Sequence, residues 1–249
     1  MAEGDGRRAF AVALICLATA SMAALAQVPP AQRYTVVLDA AHGGDDTGGH
    51  SGTQSGSQSG AWMEKDTTLA LSVRLRSLLA ARGIAVVTTR ETDTNVDRVR
   101  RDELANHANA QACLSLHASL SGTGVHLFTS SLAPAQPERI QPWSTTQAAW
   151  INRSLSFAGV LNSALQHAGL NVTLGRTALP VVDSMACPAV AIEISPEGSA
   201  SGGSGRSGSD HSAIDSLSDA DYQARVAEAI AAAIVEWRSP GSGAGAGQP

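Results

Sequence analysis

The sequence predicts a single α/β domain with a largely parallel sheet and helices on its flanks. Short segments rich in β-branched and apolar residues alternate along the chain with longer segments whose apolar residues recur at helical spacing. The chain has 249 residues, which is enough for a substantial hydrophobic core, and it contains no internal repeat. This alternation is typical of parallel strands joined by crossover helices.

Strand patterns cover residues 34–39, 84–89, 112–117, 124–129, 179–182 and 188–194, of which 179–182 is the weakest. Helical patterns cover residues 64–82, 97–110 and 145–168, and a capping box at 218–221 opens a final helix. Gly83 and Gly169 follow two of these helices at the position of a C-terminal cap. The Gly- and Ser-rich segments 48–60 and 199–212 are predicted to be loops, because they offer little apolar surface to bury.

The N-terminus has the pattern of an export signal. Arg7 and Arg8 precede an apolar run over residues 9–20, and Ala24-Leu25-Ala26 is a small-x-small cleavage site. We therefore expect a signal peptide at 1–26, a folded domain at 27–238 and a disordered tail at 239–249, in a protein that is periplasmic, extracellular or bound to the cell wall. A retained membrane anchor and a twin-arginine route of export both stay open.

Composition argues against a nucleic-acid partner. The formal net charge is −5, only 4% of the residues are aromatic, and no basic stripe is present.

Two cysteines, Cys113 and Cys187, follow the export signal, and export permits them to form a disulfide. The sequence does not determine the distance between their Cβ atoms, and we expect two buried free thiols in neighbouring strands.

Four ionisable residues lie where the predicted elements end or are buried. His42 follows the first strand at a His-Gly-Gly turn, and His117 ends the third strand. Glu64 starts a helix seven residues before Leu71, on the face turned toward the sheet. Glu193 lies in the apolar run of the last strand, where an unpaired charge is costly. Taken singly, His42 can also be interpreted as an ordinary loop histidine, and Glu64 as a carboxylate favoured by the positive N-terminus of a helix.

Together, these four residues have the chemistry of a catalytic zinc site. Two imidazoles and one carboxylate form a three-ligand set that leaves a fourth position open for water. Zinc lowers the pKa of a bound water from ~16 to about 7. A second carboxylate that does not bind the metal can then take the proton of the water and give it to a leaving amine. In this interpretation His42 and His117 are ligands, one of Glu64 and Glu193 is the third ligand, and the other is the second carboxylate.

Four segments carry a resemblance to a known family: VVLDAAHGGDDTGG (36–49), EKDTTLALSVRLRSLLAARGIAVVTTRETD (64–93), ANHANAQACLSLHAS (105–119) and CPAVAIEIS (187–195). In order and placement they resemble the zinc-dependent N-acetylmuramoyl-L-alanine amidases of the amidase-3 (AmiC-like) type, over roughly residues 34–238 without the loops. The resemblance implies a six-stranded mixed sheet and cleavage of the amide bond between N-acetylmuramic acid and L-alanine in peptidoglycan.

The resemblance also implies a role for each site residue. His42, Glu64 and His117 fall on the family's ligands to one zinc ion per chain, and Glu193 falls on its catalytic glutamate. A zinc-bound water is then the nucleophile, with Glu193 as its general base and acid. Arg90 and Asn106 match family positions as well, and we interpret both as structural.

The chain departs from the family pattern at three places. Ala40-Ala41 replaces a Pro-Gly pair, Ser119 replaces an asparagine, and residues 194–198 replace a Gly-Phe-x-Ser-Asn segment. These differences leave the preference for stem peptide and glycan open. His50 lies in a predicted loop and is interpreted as solvated, whereas His126 lies inside the fourth strand and is interpreted as a structural or surface residue.

Two other functions stay open on the sequence alone. A zinc peptidase acting on wall peptides would share the metal chemistry. An amidase-like protein without turnover would bind zinc and peptidoglycan, although the intact Glu193 favours an enzyme. We expect a monomer, and the sequence leaves open a protein activator and a regulatory segment within residues 131–160.

Overall fold

The computed structural model describes residues 33–51, 62–135, 142–197 and 210–239. All of the helices and strands given below belong to one compact unit, which begins at Tyr34. The predicted signal peptide, and the predicted tail beyond Ser239, lie outside the described residues, so the domain boundaries stay predictions. Among the helices described, none combines the length and the hydropathy that crossing a bilayer requires.

Six strands form one mixed sheet, which confirms the predicted α/β fold. The strands are β1 (Thr35–Ala40), β2 (Ala85–Thr88), β3 (Ala112–Ala118), β4 (Val125–Ser130), β5 (Val172–Thr177) and β6 (Ala189–Ile194). Their order across the sheet is β2-β1-β3-β6-β4-β5. The first four of these are mutually parallel, whereas β4 is antiparallel to β6 and parallel to β5. The last strand of the chain therefore lies between β3 and β4.

The helices are α1 (Glu64–Ala81), α2 (Arg98–His107), α3 (Ile151–His167), the short α4 (Pro180–Asp183), α5 (Asp210–Ser218) and α6 (Ala220–Arg238). A 3₁₀ helix, Trp143–Ala149, precedes α3. Gly83 and Gly169 follow α1 and α3 with φ angles of +71° and +77°, as expected of C-terminal caps.

Two hydrophobic cores lie on opposite faces of the sheet. The larger core contains Leu75 of α1, Phe157 of α3 and Ile230 of α6, packed on one face. The smaller core contains Ala105 of α2 and Val182 of α4, packed on the other face. We call the second face the α2 face. It carries the strand residues of the site described below, whereas Glu64 belongs to α1 on the first face.

Strand periodicity decides which polar side chains lie on the α2 face. Val37 and Cys113 belong to the smaller core, and residues two apart on a strand share a face. Asp39 of β1 and His117 of β3 therefore also lie on the α2 face. Glu193 of β6 lies there too, because its Cα is paired in register with the Cα of His117.

The structure corrects several predicted elements. The fifth strand is Val172–Thr177, and residues 180–183 form α4 instead of a strand. β5 lies at the edge of the sheet with mostly exposed side chains, so its sequence lacks the apolar run of a buried strand. α3 begins at Ile151 rather than near residue 145, and α5 begins within the predicted loop 199–212. The residue that caps α6 is Asp219 rather than Ser218. Its side chain accepts a hydrogen bond from the Tyr222 backbone N–H (2.7 Å).

The expectation of free thiols is wrong. Cys113 of β3 and Cys187, which precedes β6, are joined in a disulfide with their Cα atoms 6.1 Å apart. The Cys113 N–H donates a hydrogen bond to the carbonyl of Pro188 (2.9 Å), so the two strands already pair at this level. Both cysteines belong to the smaller core. Their approach follows from the pairing register of β3 with β6, which a sequence does not contain.

Candidate metal centre

A tight turn directly after β1 carries His42. Its φ angle is +61°, and Gly43 and Gly44 follow with φ angles of +130° and +61°. The left-handed region costs a non-glycine residue about 1–3 kcal/mol, so the surrounding structure must hold His42 there. Two backbone hydrogen bonds between Gly43 and Asp46, of 2.8 and 3.2 Å, close the turn.

Three side chains from separate parts of the chain converge beside this turn. His42 Nε2 lies 3.2 Å from Glu64 Oε2, and His117 Nδ1 lies 3.0 Å from Glu64 Oε1. The two histidine rings are 5.7 Å apart between centroids, with their planes at 84°. One donor atom from each of the three residues lies within 4.8 Å of the other two. The structure therefore brings together the three residues that the sequence predicts as metal ligands.

Glu64 is buried at the first residue of α1, and its carboxylate is well partnered. It accepts hydrogen bonds from the backbone N–H groups of Gly49 (2.9 Å) and Ala118 (3.2 Å). Burial acts to raise the pKa of Glu64, but the hydrogen bonds from His117, His42 and Gly49 outweigh it and hold the pKa well below its usual range. Glu64 is therefore an anion at neutral pH.

The same hydrogen bonding changes the acidity of His42. The hydrogen bond with Glu64 raises the pKa of His42 to about 9, against the opposing effect of burial and with a further contribution from Asp46. In the absence of a metal, a proton on His42 balances the negative charge of Glu64. A divalent cation would take the place of this proton, because a histidine binds metals only in its neutral form.

The donor set fits a divalent transition metal ion. Imidazole nitrogen suits zinc, copper, iron and nickel, and three protein donors are the usual number in a catalytic zinc site. His42 Nδ1 lies 2.9 Å from Asp46 Oδ2, the outer carboxylate that commonly orients a metal-binding histidine. Gly48 leaves the space that the donors need, since a Cβ there would lie 2.5 Å from His42 Cδ2 and 2.7 Å from Glu64 Oε2.

Arg101 of α2 holds the turn in place from the α2 face. Its guanidinium donates to Asp39 Oδ1 (2.6 Å) and to the carbonyl of His42 (2.7 Å). Asp39 also accepts a hydrogen bond from Ser115 Oγ (2.9 Å), which is 3.4 Å from His117 Nε2. One buried network thus connects the backbone of His42 with the ring of His117.

A second buried arginine, Arg90, joins the end of β1 to the first turn of α1. It donates to the carbonyls of Ala41 (3.0 Å) and Lys65 (2.7 Å) and to Thr68 Oγ1 (3.0 Å). These contacts agree with the structural interpretation of Arg90, because they set the position of Glu64 relative to His42.

Asn106 also makes structural contacts. Its side chain donates to the carbonyl of Ser184 (3.0 Å) and accepts from the N–H of Ala186 (2.7 Å). These two hydrogen bonds join α2 to the segment that leads into β6, in agreement with the structural interpretation.

Glu193 lies next to this cluster in the sheet. Its Cα is paired with that of His117 in β3 and with that of His126 in β4, so the three side chains lie in a row on the α2 face. Glu193 is half-buried, and among the described residues it has no hydrogen-bond or ion-pair partner. Water can solvate this carboxylate near the end of the strand, so Glu193 avoids the cost that an unpaired charge carries in the interior.

The other two histidines of interest differ in their surroundings. His126 is half-buried beside Glu193, with Nδ1 2.6 Å from Thr173 Oγ1, so it is closer to the predicted catalytic residue than its assignment as structural or surface suggested. His50 is exposed, with Nδ1 3.3 Å from the Gly48 carbonyl, which agrees with its interpretation as solvated.

The two histidines of the cluster line a cleft of about 270 Å³. Asp46 and Arg101 line it as well, and Arg98 of α2 and Val181 of α4 complete its wall. A polar cleft at the carboxyl ends of parallel strands is a common position for a site in an open α/β sheet.

The comparison that decides the family is a sequence match over residues 36–196 to Amidase_3, described as N-acetylmuramoyl-L-alanine amidase. The chain belongs to this amidase family. The matched region contains all three candidate metal donors and Glu193.

Individual relatives of the amidase family agree with this assignment. The germination-specific N-acetylmuramoyl-L-alanine amidase of Bacillus subtilis is 34% identical over 102 residues, which are 35% of this chain and 40% of that protein. The match therefore spans about two fifths of the length of that relative. The catalytic domain of the amidase CwlV from Bacillus (Paenibacillus) polymyxa superposes with a TM-score of 0.59 at 24% identity, over 82% of this chain and 97% of CwlV.

A second solved structure is the CwlD amidase of Clostridioides difficile in complex with the GerS lipoprotein. It superposes with a TM-score of 0.56 at 21% identity, over 82% of this chain and 98% of CwlD. At these levels of identity both solved structures support the fold of the amidase domain, a six-stranded mixed sheet flanked by helices.

Sequence reasoning missed the residues that support the candidate metal donors. Asp46 and Arg101 were not singled out, although Asp46 contacts His42 directly and Arg101 binds the His42 carbonyl. The pattern offered one signal for Asp46, because a carboxylate four residues after a histidine in a glycine-rich turn is suited to pair with it. Arg101 gave no such signal, because charged residues are ordinary on a helix and its burial follows from tertiary packing.

Proposed function

We propose that this chain is a zinc-dependent hydrolase that cleaves the amide bond between N-acetylmuramic acid and L-alanine in peptidoglycan. The observation that carries the proposal is the convergence of His42, Glu64 and His117 within 4.8 Å, beside Glu193 and inside the region that matches the amidase family. The proposal rests on the combination of a possible metal site, a neighbouring carboxylate and the family match, and not on any one of them alone.

The metal is proposed to be one zinc ion per chain, held by His42, Glu64 and His117. Two neutral imidazoles and one carboxylate are a common ligand set of zinc hydrolases. When bound, zinc acts as a Lewis acid that activates a water and polarises the scissile carbonyl. Asp46 and Arg101 keep His42 in position through its Nδ1 atom and its carbonyl.

Glu193 is proposed to move the protons. Its carboxylate is free of partners among the described residues and lies near the carboxyl end of β6. It accepts a proton from the attacking water and then donates a proton to the leaving nitrogen. The carbonyl carbon gains an oxygen and loses its bond to nitrogen, which releases the carboxylate of the muramic acid lactyl group and the free amine of L-alanine.

Digestion of purified peptidoglycan tests the proposal. The wild-type protein with zinc should release stem peptides with a free L-alanine amine, identified by mass, and a chelator should abolish this release. Cleavage between two amino acids would identify the protein as a peptidase instead. Intact peptidoglycan in the presence of bound zinc would favour a binding protein without turnover.

A substitution of Glu193 tests its assigned role. Glu193→Gln should keep one zinc per chain and lower kcat by about 10²–10⁴-fold, because the variant can no longer transfer protons. Glu197→Gln is the matched control, since Glu197 is an exposed carboxylate four residues away that pairs with Arg225. Comparable turnover by Glu193→Gln and the wild type would remove Glu193 from the mechanism.

We further propose that the protein acts in the cell wall after export, as a monomer. The disulfide between Cys113 and Cys187 supports an oxidising compartment, and all site residues come from one chain. Light scattering of the purified protein tests the monomer.

The CwlD structure contains a lipoprotein partner, and a protein activator of this chain would be detected as a rise in kcat on addition of wall-associated lipoproteins.

A further inference from the structure

Beside the cleft, one large aromatic side chain is left open to solvent. Trp143 is 59% exposed, whereas Trp62, Trp150 and Trp237 are 8%, 7% and 0% exposed. It is the first residue of the 3₁₀ helix that precedes α3. Burial of a large apolar side chain stabilises a protein, so the fold forgoes most of that contribution at this position.

Trp143 is linked to the cleft through Arg98. The Arg98 guanidinium carbon lies 5.5 Å from the centroid of the Trp143 ring, the distance of a cation–π contact. Arg98 also lines the cleft together with His42 and His117. Asp102, one turn further along α2, lies 3.7 Å from Arg98 Nε and helps to hold the guanidinium in this place.

A second depression continues beyond Arg98. It measures about 630 Å³ and is lined by the first turn of α2, with Asp97, Arg98, Arg100 and Glu103 among its residues. Four of its five lining residues are charged, and the fifth is Val99. Arg98 therefore lies between the cleft that holds the candidate metal donors and an open surface that carries charged side chains.

The combination of surfaces suits a sugar. A pyranose ring has a flat apolar face of C–H groups, which packs on an aromatic ring, and an edge of hydroxyl and acetamido groups that hydrogen-bond to charged side chains. Trp143 offers the ring, and Arg98 and Arg100 offer donors.

We propose that Trp143 and Arg98 form a binding subsite for a sugar ring of the peptidoglycan glycan strand, next to the muramic acid whose amide is cleaved. The inference rests on the proposed function, because the amide substrate brings the glycan strand to this cleft. Trp143 stacks on the sugar face, and Arg98 binds its polar edge while fixing the plane of the indole.

Tryptophan fluorescence tests the subsite without any hydrolysis. Titration of the zinc-loaded wild-type protein with an N-acetylglucosamine tetramer should shift the emission of Trp143 to shorter wavelength as the sugar covers it. Trp143→Ala should lose this shift and bind at least tenfold more weakly in calorimetry, and Trp143→Phe should fall between the two. The control is Leu174→Ala, which removes an exposed apolar side chain (56% exposed) from the edge strand β5 and should bind as the wild type does.

Equal affinity of the wild type and Trp143→Ala for the tetramer would overturn the proposal. A fluorescence shift caused by the free stem peptide, and not by the tetramer, would overturn it as well.

Kinetics separate this subsite from the catalytic proposal. On peptidoglycan, Trp143→Ala should raise KM about tenfold with little change in kcat, whereas on a single muramic acid linked to L-alanine both constants should match the wild type. An equal effect on both substrates would contradict a role in binding the neighbouring sugar. If wild-type protein hydrolyses neither substrate, the proposed function fails, while the tetramer titration still decides the subsite.

Discussion

Gly48 lies against two of the three candidate metal donors. Its φ angle is +63°, and an added Cβ would lie 2.5 Å from His42 Cδ2 and 2.7 Å from Glu64 Oε2. We expect Gly48→Ala to weaken zinc binding by about 10–100-fold, the range found when residues that orient metal ligands are changed. Competition with a chromophoric chelator measures the affinity.

Gly83→Ala is the matched control for this change. Gly83 has a similar φ angle of +71°, but an added Cβ there would meet no atom within 4 Å. Both variants should lose some stability from the left-handed backbone, and only Gly48→Ala should lose metal affinity. Equal zinc affinity in the two variants would show that the close contacts at Gly48 do not matter for the site.

At the scale of single residues, the sequence predicts which side chains meet but not what surrounds them. His42, Glu64 and His117 were identified because each lies at the end of a predicted element. The burial of Glu193 was overestimated, because an apolar run does not reveal how close to the end of a strand the solvent reaches. Hydrogen-bond partners such as Asp46 depend on the path of the turn.

Among the elements, the covalent link between β3 and β6 leads to a prediction. Cys113 and Cys187 are 74 residues apart in sequence, so their disulfide restricts a long segment of the unfolded chain. The double variant Cys113→Ala/Cys187→Ala should lower the free energy of unfolding by about 2–4 kcal/mol. Denaturant unfolding of the oxidised protein measures the loss, and the reduced wild-type protein should behave like the double variant. Identical midpoints for the oxidised and reduced wild-type protein would contradict the expectation.

Elements with a buried face were predictable, and the exposed ones were not. α1 shows its apolar stripe in Leu71, Leu75 and Leu79, all buried, and it ends before Gly83 as expected. β5 has one neighbouring strand and little to bury, so neither periodicity nor composition marked it. The proline at position 180 begins α4, where a fixed φ angle suits the first turn of a helix.

The stability of the whole molecule should depend on pH through His42. Its pKa is raised from 6.5 in the unfolded chain to about 9 in the metal-free fold. A raised pKa means that the folded state holds the proton more tightly, so this stabilisation is complete below pH 6.5 and is lost as the pH rises through 9. Thermal unfolding of the chelator-treated protein should show this decline, and His42→Gln should lack it. A flat profile for the metal-free wild-type protein would contradict the expectation.

The zinc-loaded protein provides the control for this profile. A zinc ion bound as proposed would require the neutral imidazole and displace the proton from His42, so the decline between pH 6.5 and 9 should disappear. Zinc affinity should weaken by up to about tenfold per pH unit below 9, because one proton must leave His42 on binding.

For the molecule as a whole, the α/β class could be predicted from the alternation of patterns, and the six-stranded mixed sheet followed from the family resemblance. The order of the strands could not be predicted from patterns, because pairing between distant segments leaves no periodic signal. The antiparallel placement of β4 against β6 is an example, since each strand has the same kind of sequence as its parallel neighbours.

β6 enters the sheet between β3 and β4 and is the strand that carries Glu193, whereas the three candidate donors all precede residue 118. A ribosome makes the chain from its N-terminus, so all three candidate donors are synthesised before Glu193 is. A chain that ends before β6 would keep the three candidate donors and lack the residue that is proposed to transfer protons.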